Sequence, residues 1–216
     1  MKKEKQNTYH HGNLRQTLLD VALRMIDEEG IRTLSLRELA RRAQVSQAAP
    51  YRHFSSKEDL IASVAEQGFG LLAKKMTEVL THHKKENPVK QFQELGIAYV
   101  FFAAQHPAYL RLMFGSALSP TSSHVGLQNA RQEVASFLIH ALAACRDAGY
   151  LQEGKLDDLA MCAWSMVHGL SMLIVEGRLL WLTTNPLDSS LETIRAMAHQ
   201  ATSYLFLGIG NGKKAD

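Results

Sequence analysis

Cysteine is scarce in this chain of 216 residues: Cys145 and Cys162 are the only two. They make no disulfide framework and read as free thiols of the cytoplasm. Clustered metal-ligand spacing is missing too. No C-x-x-C occurs, and the adjacent pairs His10-His11 and His82-His83 point to different faces of a helix, unlike an H-E-x-x-H site. There is no glycine-rich phosphate loop and no G-x-S-x-G elbow. Neither a metal, nor a cofactor, nor an enzymatic activity is therefore expected. The opening stretch MKKEKQNTYHHGNLRQ has no apolar core, so no secretory signal is expected. Strand-like alternation of useful length and internal repeats are both lacking. The longest apolar run, Leu159 to Val175, has 17 residues, carries Ser165, His168, Gly169 and Ser171, and is followed at once by Glu176 and Arg178. A membrane span needs ~20 predominantly apolar residues. The expected alternative is a helix buried on most sides inside a bundle, with no membrane partner.

What is present is an ordinary globular balance, 46% hydrophobic and 21% charged. That excludes disorder for most of the chain. The net charge of +3 is small, but its placement is uneven. Residues 1–60 hold eleven Lys/Arg against eight Asp/Glu, whereas the remainder holds thirteen of each. His10, His11 and His53 add to the head below neutral pH. A mildly basic head on a neutral body suits an anionic partner, and equally suits a solvated arm.

Helical periodicity runs throughout, giving an all-α fold of about nine helices. Leu14, Leu18, Val21, Ala22 and Met25 share one face of a first helix from Asn13 to Glu29, closed by Gly30. Ser35-Leu36-Arg37-Glu38 is a capping box opening a short helix to about Arg42. Ser46 caps a second short helix ending near His53. Ser55-Ser56-Lys57-Glu58-Asp59 starts a long helix to about Lys85, where Asn87-Pro88 interrupts. Pro88 opens a helix to Gln105, and His106-Pro107 opens a short apolar one. After the loop Gly115 to Ser123, helices are expected over Val125 to Ala148, Leu156 to Leu182 and Asp188 to Leu207. The expected division is residues 1–56 as arm and head, 57–208 as body, and 209–216 as a flexible tail.

Ser35 to His53 has the dimensions of a helix-turn-helix, with Ala40 small where the two helices cross and Leu36, Leu39, Val45 and Phe54 available to pack the pair on the first helix. Spacing alone fits a plain three-helix cap as well. The residue content points further. Gln47, Tyr51, Arg52, His53 and Lys57 gather on and just after the second helix. Glutamine can read a base edge bidentately, while Tyr, Lys and helix N-termini such as that at Ser35 suit phosphates.

The stretch GIRTLSLRELARRAQVSQAAPYRHFSSKEDL resembles the DNA-binding domain of the TetR family of bacterial transcriptional regulators, most specifically in YRHFSSKEDL. The resemblance covers Leu14 to about Val64. It implies a dimer in which Gln47, Ala48 and Ala49 face bases of double-stranded DNA in the major groove. Tyr51, His53 and Lys57 then grip phosphates, helped by Ser35 and Arg37. Two departures stand out. Gln44 occupies a turn position often held by Gly, and Ala48-Ala49-Pro50 leave few hydrogen-bonding groups for base readout. Apolar contacts to thymine methyls and shape readout are expected instead.

In the body, HPAYLRLMF and the pattern Trp164, His168, Gly169 are similar to the C-terminal domain of a TetR subgroup marked by that Trp-His-Gly signature. Such a domain binds a small-molecule inducer and forms the homodimer. Bulky apolar residues support a pocket, with Phe102, Tyr109, Met113, Phe137, Trp164, His168 and Met172 as the expected lining. Trp164, His168 and Ser171 share one helix face. Stripes of this kind also serve as plain core, and His168 suits a core imidazole bonded to a carbonyl. Leu191, Ile194, Ala198, Ala201 and Leu205 form a stripe on the last helix, expected at the dimer face, with an internal stripe as the alternative. The reading is a dimeric TetR-like regulator, a repressor released by a small apolar or amphipathic effector. A DNA-binding architectural or division-linked protein governed by a protein partner remains open, as does a helical ligand-binding protein without DNA affinity.

Overall fold

The protein is described here by a computed structural model covering residues 14–119, 123–151, 154–181 and 190–210. Expectations for the N-terminal arm with His10 and His11, for the centre of the loop after Gly115, and for residues 211–216 lie outside the described residues. Eight α-helices follow one another, and no strand is found among the described residues. They are α1 (Leu14–Glu29), α2 (Leu36–Arg42), α3 (Lys57–His82), α4 (Pro88–Gln105), α5 (Pro107–Phe114), α6 (Val125–Asp147), α7 (Leu156–Val175) and α8 (Leu191–Ile209). Two 3-10 turns, Pro50–Arg52 and Arg178–Trp181, complete the order.

The helices start where side chains can satisfy orphan amides. Ser35 Oγ accepts from the Glu38 amide at 3.1 Å, Ser56 Oγ from Asp59 at 3.2 Å, and Asn87 Oδ1 from Lys90 at 2.9 Å. Pro88 and Pro107 occupy first-turn positions where the missing N–H costs nothing. One half of the expected capping box fails. The Glu38 carboxylate turns away from the cap to Arg41 and Arg42, because two guanidiniums outbid one amide. Helix α7 ends at Val175, short of Leu182, because Gly177 adopts φ 63° and ends the helical run. The last helix continues to Ile209, and Gly210 forms an antiparallel bridge with Leu151. Ile209 and Gly210 thus belong to the ordered body, not to a tail.

One core joins head and body. Leu18, Ala22 and Met25 of α1, Leu36 and Leu39 of α2, Phe54 just before α3, Leu60 and Val64 of α3, and Val100, Tyr109 and Leu110 beyond belong to a single buried cluster. The head therefore rides on the N-terminal half of α3 through apolar contact. Arg111 adds a polar tie: its guanidinium donates to the Glu176 carboxylate at 2.9 Å and to the Val175 carbonyl at 3.1 Å, with Asp27 of α1 at 3.9 Å.

Two expected faces are corrected. Ile194, Ala198 and Leu205 are buried inside the chain, where α8 packs on α4, so this stripe is an internal seam. Gly96 on α4 lets the helices meet: a Cβ there would lie 2.7 Å from Thr202 Cγ2. Leu191 is exposed and Ala201 half-buried. Conversely, α7 is not enclosed on most sides. It is long and apolar enough to cross a membrane by length and composition, with mean hydropathy 1.5, yet only 22% of that stretch is buried.

Candidate DNA-binding head and ligand cavity

The turn after α2 sets the head's geometry. The Gln44 amide bonds the Arg41 carbonyl at 3.2 Å and the Val45 amide bonds the Ala40 carbonyl at 3.0 Å, with Gln44 at φ 54°. This is a Schellman closure, and it puts a non-glycine residue in the left-handed region. The second short helix is not α-helical. The Ala49, Arg52 and His53 amides bond the Ser46, Ala49 and Pro50 carbonyls, three residues back each time. Pro50 has no N–H to close an α-turn onto Ser46, so the segment tightens into a turn followed by the 3-10 turn Pro50–Arg52. Pro50 and Phe54 face inward, buried; Gln47, Ala48, Tyr51, Arg52 and His53 face outward, with Tyr51 59% exposed and Ala49 half-buried.

Charge on this surface is sorted by pairing. Arg42 reaches Glu28, Glu29 and Glu38, and Arg41 holds Glu38 at 2.6 Å. Hydrogen bonds from Arg41 and then Arg42 bring the Glu38 carboxyl down to about 2. Both arginines are thus neutralised locally. Arg37 and Arg52, in contrast, make no ion pair among the described residues and are exposed. The exposed Ser35 hydroxyl serves as the α2 cap. Half-buried Lys57 donates to the Arg32 carbonyl at 3.3 Å, which ties its ammonium to the segment between α1 and α2 while leaving donors free. Gln47, Ala48, Arg37, Tyr51, Arg52 and His53 are thus all exposed, and Lys57 is half-buried.

In the body, a cavity of about 730 Å³ lies among α3, α4, α6, α7 and α8. Phe69 and Met76 of α3, Phe92, Leu95 and Tyr99 of α4, and Val134 and Leu138 of α6 form much of its apolar wall. Of the seven residues expected to line a pocket, Met113, Phe137 and Trp164 do so. Phe102, Tyr109, His168 and Met172 do not. Phe102 is buried against His106, with ring centroids 5.0 Å apart. Tyr109 fills the notch at Gly68, where a Cβ would stand 2.7 Å from its ring. Met172 packs against the main core.

His168 stands behind the wall, stacked on Trp164 at 5.1 Å and edge-on to Phe114 at 4.7 Å. Its Nδ1 lies 2.8 Å from the Tyr99 hydroxyl. Burial lowers the imidazole's affinity for a proton and raises the Tyr99 phenol, so both are neutral at pH 7. A neutral imidazole accepting the phenolic proton at Nδ1 satisfies both groups. The partner is a side chain rather than the carbonyl considered from sequence. Phe69 and Met76 of α3 are not among the residues expected from sequence; their seven-residue spacing on one face was the available signal.

These two sites coincide with two family matches. Residues 18–64 match the family of bacterial regulatory proteins, tetR family, and residues 92–198 match the tetracyclin repressor-like C-terminal domain. The chain is 25% identical over 167 residues to the uncharacterized HTH-type transcriptional regulator YobS of Bacillus subtilis, covering 76% of this chain and 81% of that one. A protein of unknown function from Rhodococcus sp. RHA1 superposes with TM-score 0.78 at 28% identity over 95% of this chain and 100% of its own. The fold is also that of the fatty acid degradation regulator FadR from Bacillus halodurans, with TM-score 0.68, 16% identity and coverage of 95% and 97%. With a helix-turn-helix head and a helical body each matched in register, the chain belongs to the TetR family of DNA-binding transcriptional regulators and is not an enzyme.

Proposed function

We propose that this regulator is a cytoplasmic homodimeric repressor, released from a palindromic operator by a small apolar or amphipathic effector. The observation that carries the reading is that Phe69 and Met76, on the cavity wall, belong to the helix whose first turn holds Lys57 in the head. An occupant that shifts this wall moves α3 and the head as one body, because the two share a core. Gln47, Ala48 and Ala49 face the bases; Ser35, Arg37, Tyr51, Arg52, His53 and Lys57 position the sugar–phosphate backbone. The cavity opposes the alternative of a protein-governed architectural factor, which needs no internal chamber. The Trp164, His168, Gly169 pattern supports placing the body in the Trp-His-Gly subgroup.

The division into a head up to residue 56 and a body from residue 57 is kept as a functional one. The dimer forms through the outward faces of α7 and α8, where Met161, Met166, Tyr204 and Leu207 are exposed. A hundredfold loss of operator affinity requires ~2.7 kcal/mol of coupling, within the usual range. The test selects bound fragments from a genomic library, then titrates apolar metabolites into the operator complex. Release of DNA by a cavity ligand is expected; a ligand that binds tightly without changing operator affinity refutes the coupling.

A further inference from the structure

We propose that the effector is an amphipathic carboxylate whose head group is held by Arg131. This rests on reading the cavity as the effector site. Arg131 of α6 is half-buried and lines a mostly apolar chamber, whose other polar lining includes Asp157 and Thr202. Among the described residues it has no carboxylate partner; its one contact of note is the Phe69 ring, 5.9 Å from guanidinium carbon to centroid. Three other arginines of the body differ: Arg111 pairs with Glu176, Arg146 with Asp147 and Arg195 with Glu94. A cation removed from water without an anion is unfavourable, and a ligand anion relieves it. A guanidinium presents a planar fork matched to a carboxylate. One such group suits a single negative charge, and the apolar wall suits a hydrocarbon tail.

The chamber's shape agrees. Along α6 the lining runs from Arg131 to Ile139, about 12 Å of helix axis, and along α7 from Asp157 to Val167, about 15 Å. The chamber between these walls has a volume of about 730 Å³. It admits one extended chain or a narrow fused-ring body. Asp157 repels an anion, so the carboxylate is directed to Arg131.

The test measures, by calorimetry on the full chain, binding of dodecanoate and dodecanol, which share a tail and differ in charge. Dodecanoate is expected to bind at least about tenfold tighter, the scale of a hydrogen bond to a charged group. In Arg131→Gln that preference falls to near one while dodecanol affinity stays within about twofold. Arg131→Lys retains part of the preference, since it keeps the charge without the fork. Equal affinity of the unsubstituted protein for both probes overturns the role of Arg131 and leaves the chamber standing. So does a preference that survives Arg131→Gln. If neither probe binds, the chamber is not an apolar ligand site, and the effector reading falls together with this one. The comparison in the unsubstituted protein decides the matter even if Arg131→Gln folds poorly.

Discussion

Gln44 holds φ 54° at the turn of the helix-turn-helix, a conformation that costs an L-residue with a Cβ roughly 1–2 kcal/mol. Glycine escapes that cost but loses more chain entropy on folding, ~0.5–1 kcal/mol. Gln44→Gly is therefore expected to stabilise the protein by up to ~1 kcal/mol and to raise Tm by ~2–4 °C. A thermal melt checks it; a lowered Tm would mean the glutamine side chain makes a compensating contact. The sequence marked this position as unusual because glycine is commoner there, yet only the backbone angle gives the reason. Neighbouring surface residues divide by role. Gln47→Ala is expected to relax preference at one base pair, at ~1–3 kcal/mol, and to spare other positions. Lys57→Ala is expected to weaken all duplexes alike and to lower the slope of log affinity against log salt by ~1. Binding titrations over a panel of duplexes and salt concentrations separate the two; a uniform loss for Gln47→Ala contradicts base readout.

Between elements, one tight seam in the core is Gly68 of α3 beneath α5. A Cβ there would lie 2.7 Å from Tyr109 Cδ1 and 2.8 Å from Met113 Sδ. Gly68→Ala gains helix propensity of ~1 kcal/mol but forces two packed side chains off their positions, at ~1–3 kcal/mol. The expected result is a net loss of stability in denaturant, together with altered cavity binding because Met113 lines the chamber. Unchanged stability would mean that α5 yields freely. Helix starts were legible because Ser35, Ser56, Asn87 and the prolines act within one turn of themselves. Partners were not legible. The Ile194, Ala198, Leu205 stripe gives the apolar side of α8, but nothing in its period says whether that side meets α4 or another protomer. The same limit applied to the cavity. Phe102 on α4, Tyr109 on α5 and Met172 on α7 are bulky and apolar whether their neighbours fill the space or leave it open. The segment capped by Ser46 is expected as a short helix, whereas the missing donor of Pro50 leaves a turn followed by the 3-10 turn Pro50–Arg52.

For the whole molecule, the decisive question is what covers α7 and α8. Tyr204 is 62% exposed, Leu207 76% and Met161 61%. Apolar groups gathered on two adjacent helices of one protomer mark an interaction surface, and a two-fold interface uses the same patch twice. The double variant Tyr204→Glu/Leu207→Glu would place four like charges in the proposed interface and changes little inside a protomer, since neither side chain is buried there. It is expected to sediment as a monomer with unchanged helical content. Operator affinity should fall by ~10²–10⁴, because the second head loses the effective concentration that tethering gives it. Binding to a single half-site should stay within error, since Gln47, Tyr51 and Lys57 are untouched. A variant that stays dimeric moves the interface to another surface. One that becomes monomeric yet keeps full operator affinity removes the reason for pairing the heads at all, and with it the palindromic operator.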